Sequence, residues 1–201
     1  MLVKIQELAE KLSAHKIWLD SLGTKGRKLT LDKADFRNMD LIEYQLEQAY
    51  LISCHFDYIN LNRKDFSSSL LCSSTFISTR LKGADFCKSN LSYADFTNAK
   101  MHNARLADCE CIETIFRSAD LSNANLIGIL FDNTDLRDAN LSYADVRLST
   151  FEGALLKGAT ITGMTGLEEA FIKNINIGTY EQPFIIHDEE AKEWLVNKAS
   201  I

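Results

Sequence analysis

Residues 84–96 read ADFCKSNLSYADF, and this stretch contains the unit from which most of the chain is built. Phe86, Leu91 and Phe96 stand five residues apart, and a small side chain lies two residues before each of them. Asp or Asn commonly stands between the two, which gives the unit A-(D/N)-(L/F)-x-x. A five-residue period matches neither the 3.6-residue period of a helix nor the two-residue period of a flat strand.

The period runs through more than half of the chain without a slip in register. Every fifth residue from Leu31 to Ile161 is apolar, which makes 27 consecutive matches. If about half of all positions are apolar, chance gives such a run with a probability of roughly 0.5 to the power 27. The pattern therefore predicts a repeat architecture over residues 29–163 without inserted loops.

Each unit predicts a very short strand followed by a corner. Two inward residues flank one outward residue, and the next two residues turn the chain. The apolar Leu or Phe fills the axis, and the small residue lets neighbouring coils approach. Asp and Asn suit the turns because their side chains can accept hydrogen bonds from local backbone amides.

This repeated unit closely resembles that of the pentapeptide-repeat family. The resemblance implies an all-β solenoid, namely a right-handed quadrilateral parallel β-helix with four pentapeptides in each coil. Twenty-seven repeats then form nearly seven coils, and the rod is roughly 32 Å long at ~4.8 Å per coil. Some relatives that protect topoisomerases carry loops that interrupt the repeats, whereas this sequence keeps its register.

Some repeats carry large side chains at the small position. Lys64 is the most unusual, because an unpaired buried charge is costly. Its ammonium must reach solvent past the corner, or the local coil must be distorted, and we expect distortion in the first two coils. The departures from the small-residue pattern are Met39, Tyr44, Ile59, Lys64 and Ile129.

The segments outside the repeats are predicted to cap the coil ends, because open ends of a β-helix invite edge-to-edge association. Residues 1–28 are predicted to be an N-terminal capping helix, over residues 2–21, and a linker; a partner-binding helix is the alternative. The apolar stripe of this helix, with Trp18 beside it, comprises Ile5, Leu8, Leu12, His15 and Leu19.

Residues 164–201 are predicted to be a C-terminal capping or dimerisation segment. We expect a short helix over residues 166–172 and a final helix that Asp188 caps. Trp194 and Leu195 lie on one side of that final helix. They pack over the last coil, or they form a homodimer contact of the kind that several family members make through their C-terminal ends.

Composition places the chain among soluble globular proteins, with 46% hydrophobic and 25% charged residues in 201. The formal net charge of −6 argues against non-specific attraction to nucleic acid or to anionic lipid. No apolar run approaches the ~20 residues of a membrane helix, and the N-terminus lacks the apolar core of a signal peptide. We therefore expect a cytoplasmic protein whose five cysteines, an odd number without a CxxC pair, are reduced thiols.

The sequence contains no motif that indicates catalysis. Phosphate-binding glycine loops and HExxH are absent, and the four histidines are scattered along the chain. A packed β-helix interior also leaves no cavity for a substrate. We therefore predict that the protein is not an enzyme and binds no cofactor or metal.

Function must then lie on the outer surface, where residues twenty apart stack on the same face. One face combines acidic side chains with outward apolar ones, a composition typical of interaction surfaces. The alternative is that these side chains form ladders that only stiffen the sheet. The predicted partner-binding residues are Tyr50, Ile52, Leu70, Glu110, Ile112, Glu113, Leu130 and Asp132.

The resemblance implies a DNA mimic that binds DNA gyrase and protects it from quinolones. Duplex DNA of ~32 Å carries about 19 negative charges, whereas residues 29–163 carry only five more acidic than basic side chains. The sequence therefore predicts a non-catalytic interaction module, with topoisomerase binding as its most concrete version. A structural or scaffolding repeat protein that binds another cytoplasmic partner is the alternative.

Overall fold

The computed structural model describes the backbone of residues 2–200 and the side chains of residues 6–200. Between the two helices the chain forms one continuous coil, in which most strands are reduced to single bridges. The named elements are α1 (Leu2–Asp20), β1 (Thr30–Asp32), β2 (Tyr50–Ile52), β3 (Thr150–Leu155), β4 (Phe171–Asn176), β5 (Ile185–His187) and α2 (Asp188–Ala199).

Parallel bridges between residues twenty apart hold the coil together. Four ladders run along it, and they include the pairs Tyr50–Leu70, His55–Thr75, Asn60–Arg80 and Asp65–Asp85. Each coil therefore has twenty residues and four sides, and we number the faces first to fourth in that order. The predicted β-helix solenoid of pentapeptide repeats is confirmed, while its handedness stays a prediction.

The corner between two sides depends on a left-handed residue. The second residue of the turn has a positive φ at Lys33 and at every fifth position from Gln48 to Gly163, and glycine occupies only a minority of these positions. Tyr93, for example, has a φ of 64°. A non-glycine residue in this region costs on the order of 1 kcal/mol. The Tyr93 amide compensates by donating a 2.9 Å hydrogen bond to the Ile112 carbonyl of the next coil.

The axis of the coil is filled by the apolar residues of the five-residue period. All 27 are buried except Leu31, which lies in the first coil and is half-buried. Phenylalanines on the second face stack ring on ring, with 4.7 Å between the centroids of Phe36 and Phe56 and again between those of Phe56 and Phe76. Such stacking stabilises the coil beyond the burial of apolar area.

Polar side chains at the small position form a second internal ladder. Each donates to the carbonyl of an axial residue 23 positions earlier, as Thr114 Oγ1 does to Leu91 at 2.8 Å. Buried hydroxyls are therefore satisfied inside the rod. The donors are Ser69, Ser74, Thr79, Ser89, Cys109, Thr114, Thr134 and Ser149.

The predicted role of Asp and Asn in the turns is confirmed. Asp85 Oδ1 accepts from the Cys87 amide at 2.9 Å, and Asn140 Oδ1 accepts from the Ser142 amide at 3.0 Å. The same bond, from the amide two residues on, recurs along the repeats. This local bond fixes the exit from each short strand.

The first coil is distorted, as the sequence predicted, whereas the second coil, for which distortion was also predicted, keeps all four bridges to the third coil. Among the described residues, the bridges expected between Asp40 and Asn60 and between Gln45 and Asp65 are absent. Lys64 Nζ instead donates to the carbonyls of Leu41 at 2.6 Å and of Ile42 and Tyr44 at 2.9 Å. The ammonium therefore replaces the missing coil contacts, and burial lowers the pKa of Lys64. Its position 23 residues after Leu41 is that of the internal hydroxyl ladder.

Helix α1 covers the open edge of the first coil. Leu12 and His15 are fully buried, Leu8 and Leu19 are half-buried, and the side chain of Ile5 lies outside the described residues. His15 Nδ1 accepts from the Leu29 amide at 3.1 Å, and His15 Nε2 lies 3.0 Å from the Glu47 carbonyl oxygen. The predicted N-terminal helical cap is therefore present.

The C-terminal segment differs from the prediction. Residues 167–170 form a turn and a bend, and residues 171–176 form β4, not a helix, because Phe171 pairs with Thr150 and continues the first ladder. The offset from β3 is 21 residues at this pair, which explains why the period faded in the sequence. The N-cap of α2 is His187, not Asp188, and it makes no side-chain capping hydrogen bond.

Helix α2 packs against β4 and β5 and closes the last coil. Leu195 is fully buried within its own chain, and Trp194 is half-buried against the core. The Leu195 side chain is therefore not available for the predicted dimer contact, because its own cap encloses it. No helix among the described residues is long and apolar enough to span a membrane.

Candidate protein-interaction face

The structure brings the eight predicted partner-binding residues onto the first face. Tyr50, Leu70, Glu110 and Leu130 belong to one ladder of parallel bridges, together with Asn90 and Thr150. Ile52, Ile112 and Asp132 lie two residues further along the same sides, and Glu113 occupies the adjacent corner with a φ of 53°. We call this set of eight residues the acidic-apolar face.

Apolar side chains of this face are accessible to solvent. Tyr50 is 37% exposed and Ile52 is 40% exposed, while Leu70, Ile112 and Leu130 are half-buried. They point outward because they alternate with the axial residues of the same short strands. The ladder therefore offers apolar contact area along most of the length of the coil.

Two exposed aromatic residues outside the predicted partner-binding set enlarge the apolar area. Phe171 is 65% exposed and extends the ladder by one step beyond Thr150. Its one-residue shift takes it from the outward ladder position to an axial position of the five-residue period, where the period indicates a buried residue. Tyr93 is 56% exposed at the corner of the same face, and its aromatic ring in a polar turn was the available indication.

The acidic side chains on this face differ in how far they are neutralised. Glu152 forms an ion pair with Lys173 of β4. Glu110 accepts a hydrogen bond from Asn90, and Asp132 Oδ1 accepts from Thr150 Oγ1 at 3.2 Å. No ion pair to Glu110, Glu113 or Asp132 occurs among the side chains that the structure describes. These three carboxylates therefore give the middle of the face its negative charge.

The N-terminal end of the face is partly covered by the linker. Lys28 Nζ lies 3.7 Å from the centroid of the Tyr50 ring and 5.5 Å from that of Trp18. A cation over an aromatic ring at this distance is attracted by the ring quadrupole. The contact engages the Tyr50 ring within its own chain, so Leu70 and Leu130, which are half-buried but make no such contact, are the simpler test positions.

The thiols of the chain are poor nucleophiles in this environment. Burial raises the pKa of Cys72 on the first face and that of Cys87, and it raises the pKa of Cys54 to about 11 and of Cys109 to about 12. The pKa of the fully buried Cys111 also lies well above its ordinary value because of burial. Since the thiolate is the reactive form, these cysteines carry little of it at neutral pH.

A family model described as pentapeptide repeats matches this chain with eight copies, over residues 73–108, 114–153 and 134–164. This match identifies residues 73–108 and 114–164 as pentapeptide repeats, and the same twenty-residue coil extends to the repeats before them. No curated protein sequence matches the chain.

Several solved pentapeptide-repeat structures are similar to this chain. HetL from Nostoc sp. strain PCC 7120, which is involved in heterocyst differentiation regulation, is 20% identical with a TM-score of 0.39, over 66% of this chain and 73% of HetL. QnrB1, a plasmid-mediated fluoroquinolone resistance protein, is 15% identical with a TM-score of 0.34, over 87% of this chain and 97% of QnrB1. A pentapeptide-repeat protein from the Arabidopsis thaliana thylakoid lumen is 33% identical with a TM-score of 0.25, over 53% of this chain and 63% of the Arabidopsis protein. Because every one of these TM-scores lies below 0.5, we infer no function from them.

Proposed function

We propose that this pentapeptide-repeat protein is a non-catalytic interaction module that binds a cytoplasmic protein through its acidic-apolar face. The observation that supports the proposal is the combination, on one ladder, of outward Leu70 and Leu130 with the unneutralised carboxylate of Glu110 between them. Apolar area with a charged surround is typical of surfaces that bind other proteins. The partner would present apolar side chains among basic ones.

Aspartate substitutions on two faces test this proposal. Leu70→Asp and Leu130→Asp place a charge in the apolar contact area and should abolish retention of the partner in a quantitative pull-down. Ile127→Asp is the matched control, because Ile127 is also half-buried and lies at an outward position of the fourth face. If both leucine variants retain the partner as well as the control does, the acidic-apolar face is not the binding site.

Binding to DNA gyrase is the most concrete version of the proposal. The face supplies three carboxylates that mimic phosphate charge, although the coil as a whole carries far less charge than duplex DNA. A supercoiling assay with gyrase and a quinolone measures the effect directly. Protein that neither inhibits gyrase nor restores its activity would rule out the DNA-mimic version and favour a scaffolding role.

A homodimer through the C-terminal end is a further part of the proposal. Strand β5 is the outer strand of the β3–β4–β5 sheet, and Phe184 and Ile185 beside its edge are 60% and 50% exposed. An apolar outer strand is a common pairing site. Ile185→Asp should convert a dimer to a monomer in sedimentation equilibrium, and an unchanged mass would contradict pairing at this strand.

A further inference from the structure

A cluster of basic side chains lies on the third face, away from the acidic-apolar face. Arg80 and Lys100 are bridged neighbours in one ladder, and Lys82 follows Arg80 by two residues on the same side. The Arg63 amide donates to the Lys82 carbonyl at 2.9 Å, which places Arg63 at the adjoining corner. All four side chains are exposed. We call Arg63, Arg80, Lys82 and Lys100 the basic cluster.

The arginines of this cluster differ from the other arginines of the coils. The coils contain seven arginines, and five of them form ion pairs with aspartates. Among the described side chains, the two without a carboxylate partner are Arg63 and Arg80. Lys82 and Lys100 likewise form no ion pair within the described part of the chain. The five paired arginines are Arg37, Arg105, Arg117, Arg137 and Arg147.

We propose that the basic cluster binds a short acidic segment of a partner protein in an extended conformation. In an extended chain, alternate side chains lie on one side about 6.7 Å apart. Arg80 and Lys82 likewise stand two residues apart, one at the bridge and one in the turn that follows it, so two carboxylates at alternate positions of a peptide can meet both cations. Arginine adds a planar fork that binds carboxylates through two hydrogen bonds.

The surroundings of the cluster favour a short peptide over a nucleic acid. The next residue on the ladder after Lys100 is Asp120, and Asp65 and Asp85 begin the fourth face across the corner. A long polyanion would extend over these carboxylates, and the chain has a net charge of −6. A duplex carries one charge per ~1.7 Å over its whole length, so most of its phosphates would meet repulsion.

The basic cluster and the acidic-apolar face lie on opposite sides of the rod, because the third face follows the first after two of four sides. One partner can therefore occupy each side without excluding the other. The existence of this site does not depend on the proposed function of the first face, and the two sites can be tested separately.

Fluorescence anisotropy with a labelled peptide of five alternating Glu-Ser units tests the proposal. We expect the peptide to bind the full chain, and we expect Arg80→Glu with Lys82→Glu to weaken binding at least tenfold. Arg80→Gln with Lys82→Gln should also weaken it, without adding negative charge. The matched control is Lys157→Glu with Lys198→Glu, which makes the same change in net charge at two other exposed lysines without ion pairs in the described chain. The control should stay within about twofold of the unmodified protein.

Three results would overturn the proposal. The first is a lack of peptide binding to the unmodified chain at low salt. The second is an equal loss of binding in the control variant, which would show that only net charge matters. The third is tighter binding of a single-stranded oligonucleotide with the same number of negative charges, which would assign the cluster to nucleic acid.

Discussion

At the scale of the residue, one position in each repeat decides how neighbouring coils are joined. It lies two residues before the axial residue, and in most repeats it holds either a small apolar side chain or a short donor that bonds to the previous coil. The sequence predicts the small size at this position. It does not predict the hydrogen bond, because the acceptor lies 23 residues earlier and becomes a neighbour only once the coil has formed.

Removal of one hydroxyl from this ladder should have a measurable cost. We expect Thr114→Val to lower the free energy of unfolding by about 1 kcal/mol, since the Leu91 carbonyl keeps its bond from the Ala94 amide but loses the hydroxyl. Urea denaturation measures the difference. Thr97→Val, at an outward turn position, is the control and should change stability by less than about 0.5 kcal/mol. Equal stability of both variants would show that the ladder contributes nothing.

Lys64 illustrates the same position with an unusual side chain. The sequence predicted a distorted coil around it, and the structure adds that its ammonium bonds three carbonyls. We expect Lys64→Met to lower the free energy of unfolding by about 2 kcal/mol, because the carbonyls of Ile42 and Tyr44 lose this donor. Lys82→Met is the control, since Lys82 is exposed on a regular coil. Unfolding of Lys64→Met at the same urea concentration as the control would contradict this account.

At the scale of the element, the two ends show why caps are harder to predict than coils. The buried stripe of α1 followed from its helical period. The exchange of hydrogen bonds between His15 and the first coil did not, because Leu29 and Glu47 come close to His15 only after the coil closes. The strand β4 was missed because a shift of one residue takes Phe171 out of the outward register of the first ladder and into the axial register, although the ladder itself continues.

The cap formed by α1 should be sensitive to pH through His15. Burial lowers the pKa of His15, an effect that Lys28 reinforces and that the bond to Glu47 and its charge oppose. Nδ1 accepts from the Leu29 amide, so a proton there would break that bond. The unfolded chain takes up the proton first as the pH falls through about 6.5, so the native state loses stability below that pH.

Thermal unfolding at pH 7 and pH 5 measures this effect. The unmodified protein should lose stability between these two values, and His15→Gln should lose less of it because glutamine does not titrate. His15→Gln will also be less stable at pH 7, because glutamine cannot reproduce both bonds of the imidazole. The same pH dependence in both proteins would show that His15 does not control the cap.

At the scale of the whole molecule, the twenty-residue coil determines which residues share a face. The sequence predicts the solenoid and the membership of the acidic-apolar face, because the period of five, together with the four-sided coil that the family resemblance implies, places every outward residue. It does not predict the contacts that change the charge of each face. The ion pair of Glu152 with Lys173 and the absence of carboxylate partners for Arg63 and Arg80 among the described residues depend on side-chain geometry.

The measurement that tests the coil most directly is the distance between two spin labels on one ladder. Asn60 and Thr160 are both exposed, and five bridges join them through Arg80, Lys100, Asp120 and Asn140. Asn60→Cys with Thr160→Cys, in a chain whose partly exposed Cys72 and Cys87 are replaced by serine, carries the labels. Five steps of ~4.8 Å predict a separation of about 24 Å by electron paramagnetic resonance. In a coil of fifteen residues, the 100 residues between the labels would span nearly seven coils, and the separation would be about 32 Å at the same spacing. Such a separation would contradict the four-sided coil and every face assigned from it.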